Sequence, residues 1–149
     1  MTFMDFQGPG FMLRTPTDWY ITSSPQLQAV FVGPQTDGGV RPNLTVAIRP
    51  VEADVTPLAV AAEARKTQEN QYPEYEVQAE TDFAEQGGAG FIRRYRWLNS
   101  DRNVPVVQVQ AFHVYEGLLY TLTATSTEVD FPDVEQTFDT MLMSFRFVS

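Results

Sequence analysis

The chain has 149 residues, no cysteine, and 19 acidic against 10 basic side chains, for a formal charge of −9. Disulfides, thiolate metal centres and cysteine nucleophiles are thereby excluded. Lys66 is the one lysine, so the clustered cations that hold a phosphate backbone are missing and nucleic acid is not expected as a partner. The length suits one domain spanning residues 1–149, able to bury roughly 70% of the surface its unfolded form exposes. Met1 to Phe6 holds neither a basic n-region nor a long apolar run. No export signal and no membrane insertion are read from it, and the expected location is cytoplasmic.

Gly8-Pro9-Gly10 ends a short opening segment, and Phe11 to Arg14 reads as a strand stopped at Thr15-Pro16. Trp19 and Tyr20 follow as expected core anchors. Ala29 to Val32 is a second strand, closed by Gly33-Pro34, and a loop carries the chain through Gly38-Gly39 to Pro42. Asn43 to Arg49 alternates polar and apolar residues and is expected to be a half-buried strand. Thr56 and Pro57 open a helix, as N-cap and first helical residue, which runs to about Gln71 before Pro73. Its alanines suit close approach to a sheet, while Glu63, Arg65, Lys66, Gln68 and Glu69 are expected to face water.

Four strands come next: Tyr75 to Phe83, Phe91 to Leu98, Val106 to Tyr115 and Leu118 to Thr125. Turns are expected at Gln86-Gly87-Gly88, Asn99-Ser100-Asp101 and Glu116-Gly117, the last a tight hairpin. Phe131, Val134, Phe138, Met141, Leu142 and Phe145 recur at helical spacing and predict an amphipathic final helix. Pro132 suits its first turn, and Asp130, Asp133 and Glu135 complement its dipole. The implied fold class is α+β, an antiparallel β-sheet packed with two α-helices.

Gly10-Phe11-Met12-Leu13-Arg14-Thr15-Pro16-Thr17-Asp18-Trp19, Asn43-Leu44-Thr45-Val46, Tyr120 to Thr125 and Ser144-Phe145-Arg146-Phe147 resemble landmarks of the DcrB/PsbP-like superfamily of α/β/α sandwiches. The resemblance spans nearly the whole chain and concerns fold rather than chemistry. It implies one of three roles: an exported lipoprotein, a photosystem-associated factor, or an Eag-type adaptor that loads membrane-inserting effectors into type VI secretion systems. Size, acidity and the missing signal resemble the adaptor branch. That branch often carries Arg-Glu after its third strand, where this chain has Arg49-Pro50.

No catalytic constellation stands out. His113 is the single histidine and has no Gly-x-Ser-x-Gly or His-Glu-x-x-His companion, so a structural or surface role is expected. Asp101-Arg102-Asn103 is a fragment of a metal loop without its remaining ligands, and Glu76, Glu80 and Asp82 read as solvated strand acids. Gly87-Gly88-Ala89-Gly90 precedes a strand and lacks phosphate-loop spacing. Asn43-Leu44-Thr45 matches a glycosylation sequon only by accident of a strand sequence. Neither cofactor nor metal is expected.

Two surfaces remain for a protein partner. Gln108, Gln110, Thr121, Thr123 and Thr125 share one strand face, poor in both charge and core residues, with Leu119, Val46 or Ile48 expected to add apolar contact. Arg94 and Arg96 share the face opposite Arg93, Tyr95 and Trp97; pairing with acids on neighbouring strands is the ordinary expectation, a polar rim to a partner groove the alternative. The expected function is a non-enzymatic, homodimeric adaptor shielding apolar helices of a secreted effector. An assembly factor of the exported branch and a small-ligand binder with a pocket near His113 are the rivals.

Overall fold

In the computed structural model, which describes residues 1–86 and 88–148, the chain begins with β1 (Phe3–Gly8), β2 (Phe11–Pro16), β3 (Tyr20–Ser24), β4 (Leu27–Val32) and β5 (Asn43–Pro50). The helix α1 (Pro57–Gln71) precedes β6 (Glu76–Glu85), β7 (Gly88–Asn99), β8 (Val104–Tyr115) and β9 (Leu118–Thr127), and α2 (Phe131–Met143) precedes β10 (Arg146–Phe147). Seven strands form one antiparallel sheet in the order β3-β4-β5-β9-β8-β7-β6, and β1, β2 and β10 form a second, smaller one. The α+β class and its antiparallel pairing match the sequence reading; the separate small sheet does not appear in it.

Strand alternation assigns the two faces of the large sheet. Leu44 and Val46 of β5, Val107, Val109 and Ala111 of β8, and Leu122 and Ala124 of β9 are buried together with Phe11, Leu13, Phe138 and Met141. This main core lies beneath α2 and the small sheet. On the opposite face Phe91, Phe112 and Leu119 pack with Ala61 of α1 in a smaller cluster.

Local chemistry explains both helices. Thr56 is extended, its hydroxyl accepts from the Ala59 amide at 3.1 Å, and Pro57 supplies the first turn. The helix stops where Tyr72, preceding Pro73, becomes extended while its amide still donates to Gln68 O. Ala61 is fully buried because a methyl group lets the helix backbone lie close to β7: the Arg93 guanidinium reaches the Ala61 carbonyl at 2.7 Å. In α2, Phe131, Val134, Phe138, Met141 and Leu142 make the expected buried stripe. Phe145 lies two residues beyond the helix yet serves the same core, stacked 5.7 Å from Phe11. The β8–β9 hairpin turns on Glu116 and Gly117, both at positive φ, the geometry that matches strand twist in two-residue loops.

Several expectations are corrected. Phe3–Gly8 is a strand paired with β2; only Phe3, Phe6 and Gly8 are even half-buried in it, so it carries little hydrophobic alternation. Tyr20 is exposed and opens the edge strand β3, whereas Trp19 is a core residue as expected. Gln68 is buried rather than solvated. β6 runs on to Glu85, Tyr75 falls outside it, and its register shifts between Val77 and Ala79, which breaks the simple odd–even rule. Of the predicted Gln86-Gly87-Gly88 turn, Gly87 lies outside the described residues, and Gly88 already belongs to β7.

Candidate partner-binding face

The register of the central hairpin brings the Gln and Thr residues together as the sequence predicts. Gln108 lies opposite Thr125, Gln110 opposite Thr123, and Phe112 opposite Thr121. Gln108 donates to Thr125 Oγ1 at 2.9 Å and Gln110 donates to Thr123 Oγ1 at 3.1 Å. The ladder continues outward. Trp97 Nε1 donates to Gln108 Oε1, Gln68 Nε2 donates to Gln110 Oε1, and the Tyr75 hydroxyl donates to Gln68 Oε1. Tyr72 covers Trp97 at 4.1 Å between ring centroids. The two glutamines therefore anchor α1 and its trailing loop to the sheet, and their hydrogen bonds are spent inside the protein.

The threonine half of the face is open. The chief packing of α1 on the sheet is against β7 and β8, so Val30, Thr45, Ala47, Thr121, Thr123 and Thr125 remain half-exposed. Between this surface and α1 runs a groove of about 810 Å³. Phe112, Leu119 and Thr121 form its floor, Val55, Val60 and Ala64 one wall, and Arg49, Glu52 and Glu63 a rim of mixed charge. Leu119 lies on this face as expected and lines the groove. Val46 does not: it is fully buried on the other face, and Ile48 packs there too.

Arg94 and Arg96 also lie on that other face and do not join the glutamines. Arg94 pairs with Glu135 of α2 at 3.2 Å and sits over the Phe131 ring; Arg96 pairs with Glu128. Arg93 makes the tightest arrangement of the three, with Glu80 at 2.7 Å beside its bond to Ala61 O. All three pair with acids, but only Arg93 does so with a neighbouring strand as expected; the partners of Arg94 and Arg96 lie in α2 and in the chain entering it. Among the described residues no group of three or more His, Asp or Glu side chains is placed to hold a metal ion.

Burial pushes the Tyr95 phenol far above its ordinary value, with Tyr72 and Tyr75 adding to the effect. The unfolded chain releases this proton near pH ~10, whereas the folded chain retains it. The folded state thus binds more protons above that pH, and stability present below pH ~10 is lost as pH rises toward the folded-state value. We expect a fall of up to ~1.4 kcal/mol per pH unit from Tyr95. Urea unfolding at stepped pH checks this, with Tyr95→Phe showing a shallower slope.

A family model for DcrB matches residues 13–144. The chain belongs to the DcrB family. Solved structures share this fold. Cyanobacterial PsbP (CyanoP) from Synechocystis sp. PCC 6803 superposes with a TM-score of 0.74 at 22% identity, over 98% of this chain and 92% of that one. LpqN of Mycobacterium tuberculosis, involved in cell envelope biogenesis, gives 0.72 at 14% identity over 99% and 91%. The Saccharomyces cerevisiae Ran-binding protein Mog1p gives 0.67 at 14% identity over 100% and 97%. No curated protein matches the sequence.

Proposed function

We propose that this DcrB-family chain is a non-enzymatic protein-binding adaptor whose groove beside α1 receives an apolar helical segment of a secreted effector. The groove itself carries the reading. A helix about 10 Å across occupies roughly 400 Å³ per turn, so about 810 Å³ accommodates some two turns. Valine, alanine, leucine and phenylalanine line it, and the threonine-rich strand face beyond it offers methyl groups and hydroxyls to flanking residues. The Ran-binding Mog1p supports the use of such a fold for protein recognition.

In this reading the adaptor works in the cytoplasm, before export. A homodimer would meet through β3, because the other edge, β6, carries Glu76, Glu80 and Asp82 and repels a second copy. The likeness to LpqN and cyanobacterial PsbP favours a second reading, an assembly factor at an envelope or photosynthetic complex. The two differ in the partner captured.

Ala59 lines the groove and is exposed near the start of α1, where a carboxylate suits the helix dipole. Ala59→Glu is expected to change stability by less than ~0.5 kcal/mol and to weaken binding of an apolar helical effector peptide at least roughly tenfold, by burying an unpaired charge. Isothermal titration with the purified peptide reads this directly. Equal affinity of both proteins, or no binding by either, would sink the groove assignment.

A further inference from the structure

Arg41 and Arg102 are exposed and line one cavity of about 510 Å³, together with Val30, Val32, Val40 and Asn43, and no acid is among its lining residues. Arg41 Nε donates to Gly33 O at 2.8 Å, and a terminal nitrogen of Arg102 donates to Gly39 O at 3.1 Å. Both guanidinium groups are thus tied to the loop between β4 and β5. Among the described residues neither pairs with a carboxylate, whereas Arg14, Arg65, Arg93, Arg94 and Arg96 each do. The chain holds 19 acids for 10 bases, yet both cations of this cavity are left uncompensated. The remaining donors of each fork are available to a ligand.

The cavity borders the same open sheet face as the groove beside α1. Val32 lies opposite Asn43, Val30 opposite Thr45, Thr45 opposite Thr123, and Ala47 opposite Thr121, and directly opposed residues share a face. Asn43 lines the arginine cavity, while Arg49 and Thr121 line the groove. The two are therefore joined along β5 over about 20 Å, a span that a helix of about 13 residues covers. Thr45, Ala47 and Thr123 between them are uncharged and half-exposed. The ends differ in charge. At the groove, Arg49 and Lys66 balance Glu52 and Glu63; at the far end stand two arginines and no acid. We infer that this face sets the direction and flanking sequence of its guest: the apolar helix lies with its C-terminal end on Arg41 and Arg102 and is followed there by acidic residues. This rests on the adaptor reading and deepens it. The last carbonyls of a helix have no partner within it and carry partial negative charge, which the arginine N–H groups meet. Carboxylates that follow pair with the same guanidinium groups, and basic residues at that end are repelled by both.

The test titrates the full chain with helical peptides of leucine and alanine, about 13 residues long, acetylated and amidated at their ends. One carries two aspartates after its C-terminal end, one carries them before its N-terminal end, and one carries two lysines after its C-terminal end. The first is expected to bind roughly tenfold tighter than either of the others, although N-terminal aspartates favour the free helix. Replacing both arginines, Arg41→Gln with Arg102→Gln, should erase that preference with the circular dichroism spectrum unchanged. Arg41→Glu with Arg102→Glu should invert it, so that the lysine peptide binds best, an outcome that a merely loosened loop does not produce. Ala59→Glu acts at the groove and should weaken the tightest peptide without altering the order. Equal affinities for the three peptides, or a preference that survives the glutamine pair, would overturn this inference and leave the groove standing. Absence of binding by every peptide would overturn both.

Discussion

Replacing Arg93 with alanine is expected to lower the unfolding free energy by about 3 kcal/mol. Its side chain is 5% exposed and joins three things: Glu80 on β6, the Ala61 carbonyl in α1, and the Phe91 ring. Removing the guanidinium takes a second donor from the Ala61 carbonyl, which keeps its helical amide, and opens a void under α1. Glu80 is 37% exposed, so water recovers part of its loss, and the lower end of the range for broken buried pairs applies. Arg93→Lys should lose less, retaining charge but making one point contact where the fork makes two. Guanidinium unfolding followed by circular dichroism reads both variants. A cost below ~1 kcal/mol for the alanine variant would show that α1 is held by Ala61 packing and the Gln68 ladder alone.

Phe138→Ala should cost about 4 kcal/mol, within the range for deleting a buried aromatic ring. Phe138 is 1% exposed in α2, meeting Trp19 edge-on at 6.2 Å and Phe131 at 6.5 Å. For a chain of this size that corresponds to a fall in Tm of roughly 8–16 °C. Trp19 provides an internal readout, since its emission should move to longer wavelength if α2 loosens. A small loss with unchanged emission would mean that the surrounding core collapses into the space.

Arg93 and Phe138 also mark how far the sequence could be read. Phe138 announces itself: it repeats with Val134, Met141 and Leu142 at helical spacing, so its burial follows from periodicity before any coordinate is known. Arg93 does not. Alternation placed it with Tyr95 and Trp97 correctly, but its partner carbonyl lies in a helix, 32 residues earlier, and no local pattern encodes that contact. Gln68 repeats the lesson. On a weakly amphipathic helix a glutamine reads as solvated, and only the docking of α1 over β7 and β8 turns it into the centre of a ladder joining Tyr75, Tyr95 and Gln110.

The candidate sites were legible unevenly for the same reason. Thr121, Thr123, Thr125, Gln108 and Gln110 fall together because a strand has period two and the hairpin register is set by a two-residue turn. Alternation likewise put Arg94 and Arg96 on a common face. Which face that was relative to the glutamines, and that Glu135 and Glu128 would occupy both arginines, depends on where α2 and the chain entering it lie. His113 carried no spacing motif, and its pairing with Glu85 joins strands that are not neighbours in the sheet order.

One acidic α+β chain with a capped first helix, an antiparallel set of strands and an amphipathic last helix was determined by the sequence alone. Caps, turns and hydrophobic period act over a few residues and are written where they act. The division of the large sheet into a covered and an open half, the small second sheet that borrows β10 from the far end of the chain, and the buried His113–Glu85 pair were decided by tertiary structure. Each depends on contacts between segments distant in sequence, whose geometry comes from packing the whole core rather than from any local run of residues.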